Sequence, residues 1–144
     1  MRFCAIGGLA VNAYVEPVVT LDLDLVLAAD DIARIAFQLA AVFRVERFPH
    51  SLNVSALGSD LRVQIQTDSR YASFLDRAET RPVLGIALPV ASVDDLLQGK
   101  VWAALDVERR ASKRQKDLAD IARLLEAFPR LRSAVPKELL DRLL

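Results

Sequence analysis

Two glycines followed by two closely spaced acids constrain the fold of this chain more than any other feature. Gly7 and Gly8 close one apolar stretch, and a thirteen-residue gap then leads to Asp22 and Asp24 inside a second apolar stretch. Side chains of a strand alternate between its faces, so both carboxylates are predicted on one side while neighbouring leucines pack into the core. Two acids on one face of an otherwise buried strand repel each other and resist desolvation. The pattern therefore predicts a cation beside them, with Mg²⁺ as the natural candidate.

The two glycines themselves predict a phosphate contact. Glycine allows close approach to the backbone, and a helix opening at Leu9 would offer free N–H groups to an anion. Combined with the paired acids, this arrangement predicts a site for a metal-bound nucleotide.

The remaining pattern predicts an α+β fold. Alternating apolar residues and turn signals predict strands over 2–6, 19–27, 44–48, 51–57, 61–67 and 82–90. Helical periodicity and capping signals predict helices over 9–14, 30–43, 69–78, 92–108 and 113–127, with a short last helix from Pro136. We expect a mixed β-sheet flanked by helices and a C-terminal helical segment. The chain is expected to form a single domain over 1–144, with a sheet-containing core in 1–90 and a helical tail in 91–144.

Composition excludes several classes of function. The formal net charge is zero, so no overall field draws the chain to nucleic acid or membrane. One cysteine and one histidine allow neither an internal disulfide nor a Cys/His zinc site. No apolar run approaches the length of a membrane span, and Gly7-Gly8 interrupts the stretch that a signal peptide would need. We therefore expect a cytoplasmic protein with no membrane partner.

The glycine pair and Asp22-Leu23-Asp24 resemble the signature of the nucleotidyltransferase superfamily. The resemblance is strongest to small, minimal nucleotidyltransferases, including the enzyme halves of toxin–antitoxin and phage-defence pairs. Such proteins also carry a lysine helix, matched here by Lys100, and a Lys-Asp-x-x-Asp helix, matched by 116–120. They usually begin with a helix, whereas this chain enters a strand almost at once, so we expect either an upstream start or a trimmed domain.

The resemblance implies a Mg²⁺-dependent enzyme that moves a nucleoside monophosphate from a nucleoside triphosphate to a hydroxyl. The acceptor would be RNA, a protein or a small molecule. Asp22 and Asp24 would be the catalytic acids and would hold Mg²⁺, or Mn²⁺. Two glycines and two lysines would contact the nucleotide: Gly7, Gly8, Lys100 and Lys116. Segment 100–116 carries six basic residues against two acids. This excess favours two interpretations about equally: a binding site for a triphosphate or RNA, and a solvated helix junction.

The sequence departs from the superfamily pattern at the position of a third acid. Active members carry that acid on a neighbouring strand, and the matching position here is Gln64, or Gln66 if the register differs. Glutamine carries no charge and cannot act as a general base near neutral pH. Asp60 and Asp68 share that face but lie roughly 13 and 7 Å along a strand from Gln64. The alternative is therefore a catalytically impaired nucleotide-binding protein, or an interaction module with a partner protein of the toxin–antitoxin type.

Overall fold

The computed structural model describes residues 1–143. Its strands are β1 (Phe3–Ile6), β2 (Asp22–Leu27), β3 (Arg44–Phe48), β4 (Ser51–Ser55), β5 (Arg62–Gln66), β6 (Glu79–Val83) and β7 (Ile86–Val90). Its α-helices are α1 (Gly7–Val11), α2 (Ala29–Ala40), α3 (Val93–Leu105), α4 (Ala111–Ala127) and α5 (Lys137–Leu140). Two 3₁₀ helices span Ser69–Arg77 and Pro129–Ala134.

Within residues 1–143 the strands form one mixed sheet of seven, in the order β3-β4-β5-β2-β1-β7-β6. The pairs β2–β5 and β1–β7 are parallel, and the remaining pairs are antiparallel. This arrangement confirms the predicted α+β class. It also places β2, which carries the paired acids, at the centre of the sheet between β1 and β5.

Alternation along β2 divides its side chains between two cores. Leu27 packs with Ala36 of α2 and with Ile65 of β5 on one face of the sheet. Val26 belongs to a larger core on the opposite face, which contains buried residues of α1, α3 and α4. Because Asp22 and Asp24 have the same parity as Val26, they face the side of the sheet that α3 and α4 cover.

Helix α3 is fixed at both ends by side-chain hydrogen bonds as well as by packing. At its start the hydroxyl of Ser92 accepts a bond from the Asp95 amide at 3.2 Å, while the Asp95 carboxylate binds Arg77. Arg114 of α4 donates to the carbonyl oxygens of Ala104 at 3.1 Å and Asp106 at 2.7 Å. The side chain of Arg114 thus satisfies carbonyl groups at the end of α3, which stops at Leu105 rather than near residue 108 as predicted.

The single strand predicted over 82–90 is wrong. The structure has a hairpin, in which β6 and β7 pair around Leu84 and Gly85. Both turn residues have positive φ, 53° for Leu84 and 78° for Gly85. Leucine is an uncommon residue in that conformation, so of the two turn residues only Gly85 carried a turn signal in the sequence.

The other boundaries differ by a few residues, and the predicted helix over 69–78 is a 3₁₀ helix. In the described part of the chain, no helix combines the length and the apolarity that a membrane span requires.

Candidate active site

Gly7 lies directly against the carboxylate of Asp24. Its φ is +73°, a conformation that glycine adopts without steric cost. A Cβ atom at Gly7 would stand 3.0 Å from Cγ of Asp24 and would overlap Oδ2. A Cβ at Gly8 would instead meet Thr20 and Asp120 at an ordinary 3.8 Å. The first glycine of the pair is therefore the one that the geometry requires, because any side chain there would displace Asp24.

The register of β2 with β5 determines what faces the two acids. Asp24 is paired with Gln64, and Asp22 with Arg62. The residue beside Asp24 on the neighbouring strand is therefore Gln64, while Gln66 pairs with Val26 two positions further along. Asp60 is exposed, and Asp68 accepts a bond from the Arg70 amide at 2.9 Å as the cap of the 3₁₀ helix.

A cavity of about 90 Å³ opens beside Asp24, between the sheet and helix α3. Its polar lining consists of Asp24, Gln64, Gln66, Asp95, Lys100, Arg109 and Asp117. Its apolar wall includes Ile6, Tyr71, Phe74, Leu96 and Ala103, and Gly7 and Gly99 complete it. The cavity is open to solvent, and its volume suits an ion with one phosphoryl group.

Asp24 is the least compensated acid of this cavity. Across residues 1–143, no hydrogen bond or ion pair to its carboxylate is found. Desolvation raises the pKa of Asp24 to about 6, although the positive charge of Lys100 opposes that rise. The negative charge of Asp22 adds to it. Near neutral pH the carboxylate is mostly ionised, so it can accept a cation.

Asp22 has a different environment from Asp24. Its side chain is 41% exposed, and its Oδ1 accepts a bond from Nε of Arg62 at 2.9 Å. The cation predicted beside the paired acids is therefore in part supplied by the protein itself, through Arg62. The second carboxylate oxygen of Asp22 has no bonding partner in the described chain.

Lys100 projects from α3 into the cavity and is held by two acids of α4. Its Nζ lies 3.3 Å from Oδ1 of Asp117 and 3.0 Å from Oδ2 of Asp120. Burial disfavours the charged amine, but Asp120 and Asp117 more than compensate, and the pKa of Lys100 is raised. An ammonium group has three N–H donors, so one remains to face the cavity.

Asp117 anchors the network around Lys100. Its side chain is 1% exposed, and it accepts two bonds from Arg109, at 2.9 Å to Nε and 3.0 Å to Nη2. Asp120 pairs in turn with Arg123, which also donates to the backbone oxygen of Glu16 at 2.8 Å. The network ties α4 to the loop that precedes β2.

Lys116 lies on the exposed side of α4 and is not among the cavity-lining residues. Asp120, one turn further along α4, points away from Lys116 and binds Lys100 and Arg123. Arg109 and Arg114 of the basic segment are likewise bound to the protein's own oxygens. The exposed cations that remain there are Arg110, Lys113 and Lys116.

The residues present fit one divalent ion held by few protein ligands. Across residues 1–143, no three His, Cys, Asp or Glu side chains converge in a group that could enclose an ion. Asp24 offers an unbonded, partly buried carboxylate, and Asp22 offers one free oxygen. Mg²⁺ commonly binds through one or two carboxylates and keeps waters and substrate phosphates for the rest of its shell.

Two charged residues of this site had no clear signal in the sequence. Arg62 was visible only as a basic residue on the polar face of β5, and nothing indicated that it would reach Asp22. Arg109 belonged to the basic segment, which favoured a triphosphate or RNA site and a solvated helix junction about equally, and neither interpretation gave it a buried partner. Its partner Asp117 offered a weak signal, because a charged residue among the apolar positions of a helix needs a counter-ion.

No family model matches the chain, and no curated protein is similar to it in sequence. Solved structures are similar in fold. The antibiotic-resistance factor ANT(2'')-Ia in complex with adenylyl-2''-tobramycin matches with a TM-score of 0.60 at 16% identity, over 98% of this chain and 88% of that one. The lincosamide antibiotic adenylyltransferase LnuA bound to lincomycin matches with a TM-score of 0.55 at 11% identity, over 85% of this chain and 86% of that one.

A third similar structure is an antigenic nucleotidyltransferase-like protein from Paracoccidioides brasiliensis, with a TM-score of 0.54 at 18% identity over 98% of this chain and 77% of that one. At 11–18% identity these likenesses concern the fold alone. The chain has the fold of the nucleotidyltransferase superfamily.

Proposed function

We propose that this protein binds a nucleoside triphosphate with Mg²⁺ or Mn²⁺ and transfers the nucleoside monophosphate to a hydroxyl group. Asp22 and Asp24 would hold the ion, Gly7 and Gly8 would face the phosphates, and Lys100 would contact them from α3. The fold similarity to nucleotidyltransferases supports this class of reaction.

One observation carries the proposal. The carboxylate of Asp24 faces a cavity without a hydrogen-bonding partner, directly beneath the backbone of Gly7 and near the ammonium of Lys100. A partly buried acid without a partner destabilises a fold unless something binds it. A divalent ion with a phosphoryl group fits both the charge and the size of the space, and the nucleoside would lie outside the cavity.

The reaction requires one bond to form and one to break. The acceptor oxygen forms a bond to the α-phosphorus, the bond from that phosphorus to the bridging oxygen breaks, and pyrophosphate leaves. A bound divalent ion would supply charge neutralisation for the phosphates. The free N–H of Lys100 would add a charge-assisted hydrogen bond to a phosphate oxygen.

The acceptor hydroxyl must also lose its proton. Gln64 cannot take it, so the proton passes to solvent or to a base carried by the acceptor. The absence of a general base lowers the rate by about 10²- to 10⁴-fold compared with a site that has one. Slow transfer, or transfer to an acceptor that ionises easily, is what this site supports.

A second candidate function is nucleotide binding without turnover. Two observations favour it: Gln64 stands opposite Asp24, and Arg62 is bound to Asp22. A protein of this kind would act through a partner protein, as in a toxin–antitoxin pair, and its ligand would still be a nucleoside triphosphate.

The acceptor is the least constrained part of the proposal. The names of two similar structures refer to antibiotics, lincomycin in one and an adenylylated tobramycin in the other. They support testing small polyhydroxylated molecules first. RNA ends and protein hydroxyls come next, because exposed Lys113 and Lys116 lie on α4, which contributes Asp117 to the cavity, and exposed Arg110 directly precedes that helix.

The test is to incubate the protein with each α-³²P-labelled ribonucleoside triphosphate, with Mg²⁺ or Mn²⁺ and one acceptor class at a time. Labelled acceptor that is lost in an Asp22→Asn/Asp24→Asn variant supports transfer. Metal-dependent nucleotide binding without a labelled product supports the second candidate. If the wild-type protein binds no triphosphate with either metal, both candidates fail. A Lys116→Met variant, changed at an exposed lysine on the same helix as Asp117, shows whether that lysine contributes.

A further inference from the structure

Arg62 has an unusual place among the charged residues of the site. It stands on β5 directly opposite Asp22, and only its Nε is engaged, with Oδ1 of Asp22 at 2.9 Å. Among the described residues, the terminal nitrogens of its guanidinium group make no bond to a protein acceptor. The side chain is 72% exposed. Asp22 therefore orients a guanidinium group whose two terminal amines point away from the protein's own acceptors.

The charges on this face of the sheet do not suit two divalent ions. Sites of that kind hold ions about 3.5–4 Å apart and need several carboxylates to offset four positive charges. Here β2 contributes two acids, while β5 contributes a neutral Gln64 and a positive Arg62. A second ion on Asp22 would have to displace Arg62 and would find no third carboxylate.

We propose that Arg62 supplies the second positive charge of this site, so that the protein binds one divalent ion, and not two, together with a nucleoside triphosphate. The inference rests on the function proposed above. Arginine suits this role because its planar group can bind a carboxylate through one edge and a phosphate through another. It carries one charge rather than two, and it cannot be lost to a chelator.

The pair between Arg62 and Asp22 is weak enough for the guanidinium group to shift when a ligand arrives. Both side chains are exposed, and exposed ion pairs contribute little to stability. Asp22 can therefore offer its free oxygen to an ion while Arg62, still bound to Asp22 through Nε, reaches the phosphates with its terminal amines.

Equilibrium dialysis tests this inference without measuring activity. The protein is dialysed against Mn²⁺ and a non-hydrolysable α,β-methylene analogue of each ribonucleoside triphosphate. Mn²⁺ and nucleotide are then counted on both sides. We expect one Mn²⁺ per bound nucleotide in the wild-type protein and in Gln64→Asp, where Arg62 still lies on Asp22. The double variant Arg62→Gln/Gln64→Asp should bind two. Arg62→Lys/Gln64→Asp is the matched control, which keeps the positive charge and should bind one.

The single variant Arg62→Gln should retain one Mn²⁺ and bind the analogue roughly ten-fold more weakly or worse, since a charge-assisted contact is lost. Two Mn²⁺ in the wild-type protein or in Gln64→Asp would refute the inference. So would a single Mn²⁺ in Arg62→Gln/Gln64→Asp, provided urea unfolding shows that this variant is folded. Failure of the wild-type protein to retain any nucleotide would instead refute the proposed function on which the inference rests.

Discussion

Replacing Asp24 with asparagine should raise the free energy of unfolding. The gain should be small at acidic pH and large above neutral pH. Burial beside the cavity raises the pKa of Asp24 from 3.8 to about 6. The folded state therefore holds the proton more tightly than the unfolded state does. As pH rises through this range, the ionised carboxylate destabilises the fold, and the full cost of about 3 kcal/mol is reached above pH 7.

Asparagine has nearly the shape of the protonated acid and no charge at any pH. The Asp24→Asn variant should therefore exceed the wild-type protein in free energy of unfolding by about 0.5 kcal/mol at pH 4 and about 3 kcal/mol at pH 8. For a chain of this length, the larger value corresponds to a rise in melting temperature of about 10 °C.

Urea unfolding at both pH values, followed by the fluorescence of Trp102, measures the difference. The measurements need a chelator, because a bound divalent ion would stabilise the wild-type protein alone. Asp22→Asn is the matched control, since it removes an exposed pair with Arg62 and should lower stability by less than about 1 kcal/mol. A gain for Asp24→Asn that is equal at both pH values, or no gain at pH 8, would refute a desolvated Asp24.

Three further predictions concern neighbouring residues and the ligand. Gly7→Ala should abolish metal-dependent nucleotide binding, measured by calorimetric titration, because its Cβ would displace Asp24. Gly8→Ala should largely retain that binding in the same measurement. Lys100→Met should lower the free energy of unfolding by about 3 kcal/mol, because Asp117 and Asp120 would then have one cation fewer. The control Lys116→Met, at an exposed lysine, should change it by less than about 0.5 kcal/mol. A nucleoside triphosphate with Mg²⁺ at 100 times its dissociation constant should add about 2.7 kcal/mol in thermal unfolding, and a shift that persists in Asp22→Asn/Asp24→Asn would contradict the site assignment.

The sequence predicted the features that depend on local pattern. Alternation predicted that Asp22 and Asp24 share one face of β2, and capping signals predicted a helix from residue 92, next to the observed start of α3 at Val93. Parity alone left two candidates for the third-acid position, Gln64 and Gln66. The backbone pairing places Gln64 beside Asp24.

Features that depend on contacts between distant segments were not predictable in this way. Lys100 was expected to face a ligand, and its position between two acids follows only from the packing of α3 against α4. The contact of Arg62 with Asp22 joins residues forty positions apart. Long charged side chains have many rotamers, so periodicity fixes the face from which they leave but not the partner that they reach.

The contrast between two acids of the cavity is the strongest physical reason to assign a ligand to it. Asp117 is almost fully buried, and three close contacts with Arg109 and Lys100 compensate its charge, so it needs nothing from outside the protein. Asp24 lines the same cavity without any such contact, and its raised pKa reflects that deficit. A fold selected for stability alone would place a neutral or apolar residue at this position, since the surrounding strand is apolar and the cost of the charge is several kcal/mol. An ion bound to Asp24 would remove that cost, which is why metal binding and the pH dependence of stability should report on the same carboxylate.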